Sequence, residues 1–92
     1  MSTQTSIVRA IIVDDDAYSR SAIRKQLERF TDAVAVLDEC ASGAEGVRSI
    51  TAHAPDLVFL DIQMKGMDGF AMLDALPRRD FGVIFTTSHD EY

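Results

Sequence analysis

Short apolar runs alternate with amphipathic stretches along this chain, which is the pattern of a parallel α/β sheet. Four of the runs are rich in β-branched residues and predict strands. A strand that is buried on both faces is almost continuously apolar, as these runs are. The predicted strands cover residues 7–13, 34–37 with an extension towards Cys40, 57–60 and 83–86.

The three amphipathic stretches between these runs predict helices with clear start and stop signals. Asp16, Ser42 and Asp68 stand where N-caps are expected, and Ser42 opens a capping box with the Glu three positions later. Pro55 and Pro77 end the second and third helices, while the first helix is predicted over residues 17–30. The stripes predicted to face the sheet are Ile23, Leu27 and Phe30, then Ala44, Val47 and Ile50, then Phe70, Leu73 and Leu76.

The resulting order, β-α-β-α-β-α-β, predicts a doubly wound α/β fold of the flavodoxin type. Right-handed crossovers give the strand order 2-1-3-4, with the first and third strands adjacent. Ligands of such sheets bind beyond the carboxyl ends of the strands, where the winding reverses. Asp14 and Asp15 follow the first strand and Asp61 follows the third. We therefore expect these three carboxylates to meet at one place.

Three carboxylates in one place repel each other, by roughly 4 kcal/mol per pair at about 4 Å and an intermediate dielectric constant. Such a cluster must protonate, spread apart or hold a cation, and oxygen-only ligands favour Mg²⁺. An aspartate beside bound magnesium can attack phosphorus, and a hydroxyl after the fourth strand could then bond the phosphate. Thr87 stands at that position, with Ser88 next to it. The alternative is that the aspartates are only helix caps and turn formers.

Length, charge and cysteine content narrow the class of protein. A chain of 92 residues fits one domain, which we place at residues 7–92 after a flexible tail at 1–6. The net charge of −6 argues against nucleic-acid binding by this segment. A single cysteine excludes an internal disulfide and favours a reducing, cytoplasmic setting. No apolar run is long enough to span a membrane, so no membrane partner is expected.

Four segments together resemble the CheY-like receiver domain of two-component response regulators. They are residues 11–16, 56–64, 67–70 and 83–87, in the order and spacing of that family. The last stretch, residues 84–92, is most similar to receivers joined to LytTR-type DNA-binding domains.

The resemblance implies a role for each matching residue. Asp61 would be the phosphoacceptor, and it would bind Mg²⁺ together with Asp14, Asp15 and the backbone carbonyl of Gln63. Thr87 would be the switch hydroxyl. Ser88 and Lys65 would be neighbours of the site. The donor would be a phosphohistidine on a sensor histidine kinase. The domain would catalyse its own phosphorylation and dephosphorylation without being a conventional enzyme.

The chain departs from the family pattern at two places. The family usually has Pro after the Met that follows the acceptor loop, whereas Lys65 follows Met64 here. The family also continues through a fourth helix, a fifth strand that ends in a Lys, and a fifth helix, and no residue here matches that Lys. We therefore expect a truncated receiver with an exposed fourth strand, which favours self-association through that strand edge.

Two other functions fit parts of the pattern. The chain could be a receiver-like fragment that binds or dimerises without efficient phosphorylation. It could also be a phosphotransferase of the haloacid dehalogenase type, which uses a strand-end Asp nucleophile. That family requires a second Asp two positions after the nucleophile, and Gln63 occupies this position here.

Overall fold

The computed structural model describes residues 6–86, and this range forms one parallel sheet with helices on both faces. The strands are β1 (Val8–Val13), β2 (Val34–Cys40), β3 (Leu57–Asp61) and β4 (Gly82–Thr86). The helices are α1 (Ala17–Leu27), α2 (Gly43–His53) and α3 (Gly69–Ala75), with a 3-10 turn at Glu28–Phe30 after α1. All neighbouring strands are parallel and the order is β2-β1-β3-β4, which confirms the predicted order. Most of the tail predicted at 1–6 lies outside the described residues.

Each helix begins at the cap that the sequence predicts. The Asp16 carboxylate accepts from the Tyr18 N–H at 3.2 Å, and the Asp68 carboxylate accepts from the Ala71 N–H at 2.8 Å. The Ser42 hydroxyl accepts from the Glu45 N–H at 3.1 Å. These contacts satisfy N–H groups that have no partner inside a helix. None of the helices in residues 6–86 has the length and apolar composition needed to cross a membrane.

Two apolar layers hold the helices to the sheet, because successive strand residues point to opposite faces. On one face, Ala10, Ile12 and Phe59 pack against Ile23 and Leu27 of α1. The opposite face carries the larger cluster, to which β1, β2, β3, α2 and α3 contribute. Its buried members are Ile11, Val13, Cys40, Ile50, Val58, Leu60, Met64, Met72 and Leu76.

The predicted inward stripes of α2 and α3 are partly wrong, because glycines occupy the faces that come closest to the core. Ala44 and Phe70 are exposed, whereas Gly46 and Gly69 are buried. A Cβ atom on Gly46 would lie 2.6 Å from the Met72 sulfur. A Cβ on Gly69 would lie 2.8 Å from a backbone carbonyl oxygen of β3. Glycine has no side chain and so adds nothing to the hydrophobic periodicity. The helix faces that contact the core therefore differ from the predicted ones.

The ends of two predicted elements also differ from the structure. The first strand begins at Val8 and leaves Ile7 outside it, with 48% of the Ile7 residue exposed. The first helix ends at Leu27 and tightens into the 3-10 turn, so the α-helical spacing that aligned Phe30 with the stripe no longer applies. Phe30 is 54% exposed as a result.

Candidate metal centre

The carboxyl ends of β1 and β3 bring three aspartates together. Val13 pairs in register with Leu60, so the residues that follow each of them, Asp14 and Asp61, lie side by side. These two residues are 1% and 3% exposed, while Asp15 is more exposed. One carboxylate oxygen from each of the three lies within 4.8 Å of the others. The meeting point expected from the topology is therefore present.

A backbone N–H group holds each of these carboxylates. The Asp16 N–H donates to Asp14 Oδ1 at 2.9 Å, and the Gln63 N–H donates to Asp61 Oδ1 at 3.3 Å. Asp15 Oδ2 accepts from the Lys65 N–H at 3.0 Å. Bonds of this kind restrict the rotation of each carboxylate.

Burial raises the pKa of the Asp14 carboxyl from 3.8 to about 6. The hydrogen bond from the Asp16 N–H works against this rise, and the negative charges of Asp61 and Asp15 add to it. A positively charged side chain also contacts this segment, because Arg20 Nη1 donates to the Asp14 carbonyl oxygen at 2.7 Å. Arg20 was not among the site residues predicted from the sequence. Arg20 lies one turn into α1, and side chains of a helix point back towards its N-terminus. This position could have indicated that the Arg20 side chain reaches the end of β1.

The donor set fits a hard divalent cation. Within residues 6–86, the group contains carboxylates alone, with no His or Cys among them. Oxygen-only sites suit Mg²⁺, which keeps several waters and takes one or two carboxylates, whereas zinc favours nitrogen and sulfur ligands. A cation here would also offset the repulsion between the carboxylates, which adds to the effect of burial on the pKa of Asp14.

The remaining predicted site residues divide into two groups. Gln63 and Lys65 lie in the loop after β3, and each contributes the backbone N–H described above. Thr87 and Ser88 lie outside the described residues, so the structure gives no position for the predicted switch hydroxyl. Thr86, which was not among the predicted site residues, pairs in register with Asp61. Within residues 6–86, the buried Thr86 hydroxyl has no hydrogen-bond partner.

Comparison with known proteins identifies the family. A sequence profile for the response regulator receiver domain matches residues 10–92. The chain belongs to this family. It is 33% identical over 87 residues to the transcriptional regulatory protein BtsR of Escherichia coli (strain K12). It is 47% identical over 66 residues to protein-glutamate methylesterase/protein-glutamine glutaminase 3 of Geobacter sulfurreducens.

Solved receiver structures have the same fold as this chain. A two-component response regulator of the LuxR family from Aurantimonas sp. SI85-9A1 matches with a TM-score of 0.80 and 28% identity, covering 92% of this chain and 61% of that one. The response regulator domain of Thermotoga maritima CheB matches with a TM-score of 0.81 at 24% identity, covering 90% and 62% respectively, which supports the fold alone. The predicted flavodoxin-like class is thus confirmed.

The chain corresponds to a minor part of its curated relatives. The match covers 94% of this chain but 36% of BtsR, and 72% of this chain but 18% of the Geobacter protein. This chain is the receiver domain of a response regulator in two-component signalling, and it spans about a third or less of the length of these two relatives.

Proposed function

We propose that this receiver takes a phosphoryl group on Asp61 from a phosphohistidine of a sensor histidine kinase, in a reaction that requires Mg²⁺. The observation that carries the proposal is the group of three carboxylates within 4.8 Å at the topological switch point. In a chain that belongs to the receiver family, that group is the best candidate for a phosphoacceptor with its metal ligands.

In the proposed reaction, a carboxylate oxygen of Asp61 forms a bond to phosphorus while the bond between phosphorus and the histidine nitrogen breaks. The electron pair of that bond stays on the histidine, which leaves as a neutral imidazole after it takes up a proton. Asp14, Asp15 and Asp61 would hold the cation, together with the Gln63 backbone carbonyl. When bound, Mg²⁺ offsets negative charge on the transferring oxygens. Water later hydrolyses the phosphoaspartate and restores Asp61.

The side chain of Lys65 is not proposed to replace the Lys that the family carries at the end of its fifth strand. The Lys65 residue is exposed, and its described contact with the site is through the backbone. Thr87, with Ser88 beside it, remains our candidate for the hydroxyl that bonds the phosphoryl group, on the strength of the resemblance.

Intact-mass measurement after incubation with Mg²⁺ and acetyl phosphate tests this proposal directly. We expect a mass gain of one phosphoryl group for the unaltered chain and none for Asp61→Asn. Asp32→Asn is the matched control, because it makes the same chemical change at an exposed position before β2. The control variant should be phosphorylated like the unaltered chain, and a chelator should prevent phosphorylation in both.

Other results would favour the alternative functions. A folded chain that gains no mass would contradict the proposal and support a fragment that binds without efficient phosphorylation. Labelling of Asp61→Asn would place the acceptor elsewhere. Steady turnover of a phosphate ester would support the haloacid dehalogenase-type reaction, which Gln63 argues against.

We also propose that this chain self-associates through β4. In the described sheet, β4 pairs with β3 on one side only, and Ile84 and Phe85 are each 46% exposed. Phe70, which is 53% exposed, lies with its ring centroid 5.5 Å from that of Phe85 and extends the apolar surface. Unpaired strand edges with apolar side chains are templates for pairing with another chain.

Light scattering during size-exclusion chromatography tests self-association. Ile84→Lys should shift the chain towards monomer. Phe30→Lys is the control, because it adds the same charge at an exposed apolar residue outside the sheet. A monomer at every concentration, or equal behaviour of the two variants, would contradict this proposal.

The parent protein is proposed to be a cytoplasmic regulator that carries further domains. The matched relatives support this idea, since BtsR is described as a transcriptional regulatory protein and this chain covers 36% of it. An attached LytTR-type DNA-binding domain remains a prediction from residues 84–92, most of which lie outside the described range. DNA binding would then belong to that domain and not to this acidic segment.

A further inference from the structure

The three hydrogen bonds that hold the carboxylates differ in how far they reach along the chain. The donors to Asp14 and Asp61 lie two residues after their acceptors, so these bonds form within single turns. The Lys65 N–H reaches Asp15 across 50 positions. It therefore connects the loop after β3 to the end of β1.

We infer that the backbone amide of Lys65 is a positioning group that orients Asp15 for the metal, an inference that rests on the function proposed above. Asp15 is the most exposed of the three aspartates, so its side chain has the greatest freedom to rotate towards water. A charge-assisted hydrogen bond at Oδ2 restricts that rotation and leaves the carboxylate able to bind a cation. Outer partners of this kind orient metal ligands and affect affinity for the metal.

The shape of the loop makes this contact available. The Gly69 N–H donates to the Ile62 carbonyl oxygen at 2.8 Å and closes the base of the loop. Met64 is 8% exposed and anchors the loop in the core. Gly66 follows Lys65 with a φ of 79°, a left-handed conformation that favours glycine. Held at these points, the amide of Lys65 faces the end of β1.

The residue type at position 65 decides whether the bond can exist. Proline, which receivers usually have at this position, has no N–H and cannot donate. Any other residue supplies the same donor whatever its side chain. The role of the amide can therefore be separated from the role of the lysine charge.

Mg²⁺ binding by three chains tests the inference. Isothermal titration calorimetry with Mg²⁺ alone compares Lys65→Pro with Lys65→Ala, since both variants lose the lysine charge but only Lys65→Ala keeps the N–H. Lys65→Pro should bind at least about tenfold more weakly, which is the usual effect of losing an outer-shell partner. Equal affinities of the folded Pro and Ala variants would overturn the inference. Failure of the unaltered chain to bind Mg²⁺ would overturn the proposed metal site as well.

Amide hydrogen exchange gives a second test that does not depend on the folding of the Pro variant. In the metal-free chain, the Lys65 amide should be protected, and Asp15→Ala should remove that protection. The Gln63 amide is the internal control, because its acceptor is Asp61 and the substitution leaves that bond in place. Unchanged protection of Lys65 in Asp15→Ala would show that the bond does not hold the loop to Asp15, and would overturn the inference.

Discussion

Replacing Asp14 with Asn should stabilise the metal-free chain at neutral pH. Asp14 is 1% exposed, and burial together with two neighbouring carboxylates raises its pKa to about 6. The folded chain must therefore hold a charge that its surroundings disfavour. Asparagine has nearly the same shape, keeps the oxygen that accepts from the Asp16 N–H, and removes the charge. Its amide N–H groups can donate to Asp15 or Asp61, which lie within the cluster.

The pKa shift sets the size of the effect. A rise from 3.8 to about 6 corresponds to about 3 kcal/mol of unfavourable free energy in the charged, folded form. The amide recovers less than this, because it must satisfy two N–H donors where the carboxylate had none. We expect the free energy of unfolding of Asp14→Asn to exceed that of the unaltered chain by about 1–3 kcal/mol near pH 7.5.

The sign of the pH dependence follows from proton uptake by Asp14. As the pH falls, the folded chain takes up a proton near pH 6, while the unfolded chain does so only near 3.8. Between these values the folded state binds more protons, so the stability of the unaltered chain falls as the pH rises from about 4 to about 6. Above about pH 6, the stability of the unaltered chain stays at this lower level. The advantage of Asp14→Asn should therefore be full above pH 6 and absent near pH 4.

Urea unfolding in the presence of a chelator measures this difference, with Asp32→Asn as the control for the loss of one exposed negative charge. Adding Mg²⁺ near pH 7.5 should stabilise the unaltered chain more than Asp14→Asn, because a ligand that binds only the folded state adds to its stability. Two results would refute the idea that Asp14 is a buried charge that destabilises the fold. One is a free energy of unfolding for metal-free Asp14→Asn that does not exceed that of the unaltered chain. The other is a gain in that free energy that persists at pH 4.

Three further predictions concern residues around the site and the core. Gly69→Ala should lower the free energy of unfolding by about 1–3 kcal/mol in urea titrations, because its Cβ would lie 2.8 Å from the Asp61 carbonyl oxygen; no loss would contradict the close approach of α3 to β3. Ser49→Ala should cost about 1–2 kcal/mol near pH 7, because the Ser49 hydroxyl donates to Asp38 at 2.6 Å and lowers the pKa of that carboxyl. This contribution is present above pH 3.8 and is lost as the pH falls through the lowered pKa, so a penalty that persists in acid would contradict it. Cys40, whose pKa is raised to about 11 by burial, should react with iodoacetamide only after unfolding, and mass spectrometry of the native chain would detect any earlier labelling.

The sequence was sufficient to predict the strand order and the meeting of the three aspartates. Both follow from general rules: parallel strands joined by right-handed crossovers have few possible orders, and the residues that end adjacent strands lie at one edge. Asp14 and Asp61 needed no further information, because each stands directly at the end of a buried strand. The helix caps at Asp16, Ser42 and Asp68 were equally local, since a cap is defined by residues within one turn.

The helix faces could not be predicted to the same degree. Hydrophobic periodicity identifies the side chains that gain most from burial, but α2 and α3 approach the core through glycines that have no side chain to bury. Phe70 matched the expected stripe and is nevertheless exposed beside Phe85. The distance between elements, which decides where a glycine is required, is a property of the packed structure.

The contact between Lys65 and Asp15 also could not be predicted from the sequence, for a different reason. Every residue except proline has a backbone N–H, so the residue type shows only that a donor exists and not where it points. Its direction depends on the path of the whole loop from β3 to α3, which the buried Met64 and the left-handed Gly66 determine together.

The same carboxylates connect the stability of the fold to its proposed chemistry. Without a metal, burial and mutual repulsion make the charged form of Asp14 unfavourable, so part of the stability of the fold is lost at neutral pH. A divalent cation at these oxygens reverses the sign of that interaction, because it favours the charged form of each carboxylate. The free energy that Mg²⁺ adds to the folded chain therefore reports on the residues that phosphoryl transfer would use. If Lys65→Pro reduces that stabilisation while Lys65→Ala preserves it, the loop amide contributes to the metal centre even before any phosphoryl donor is present.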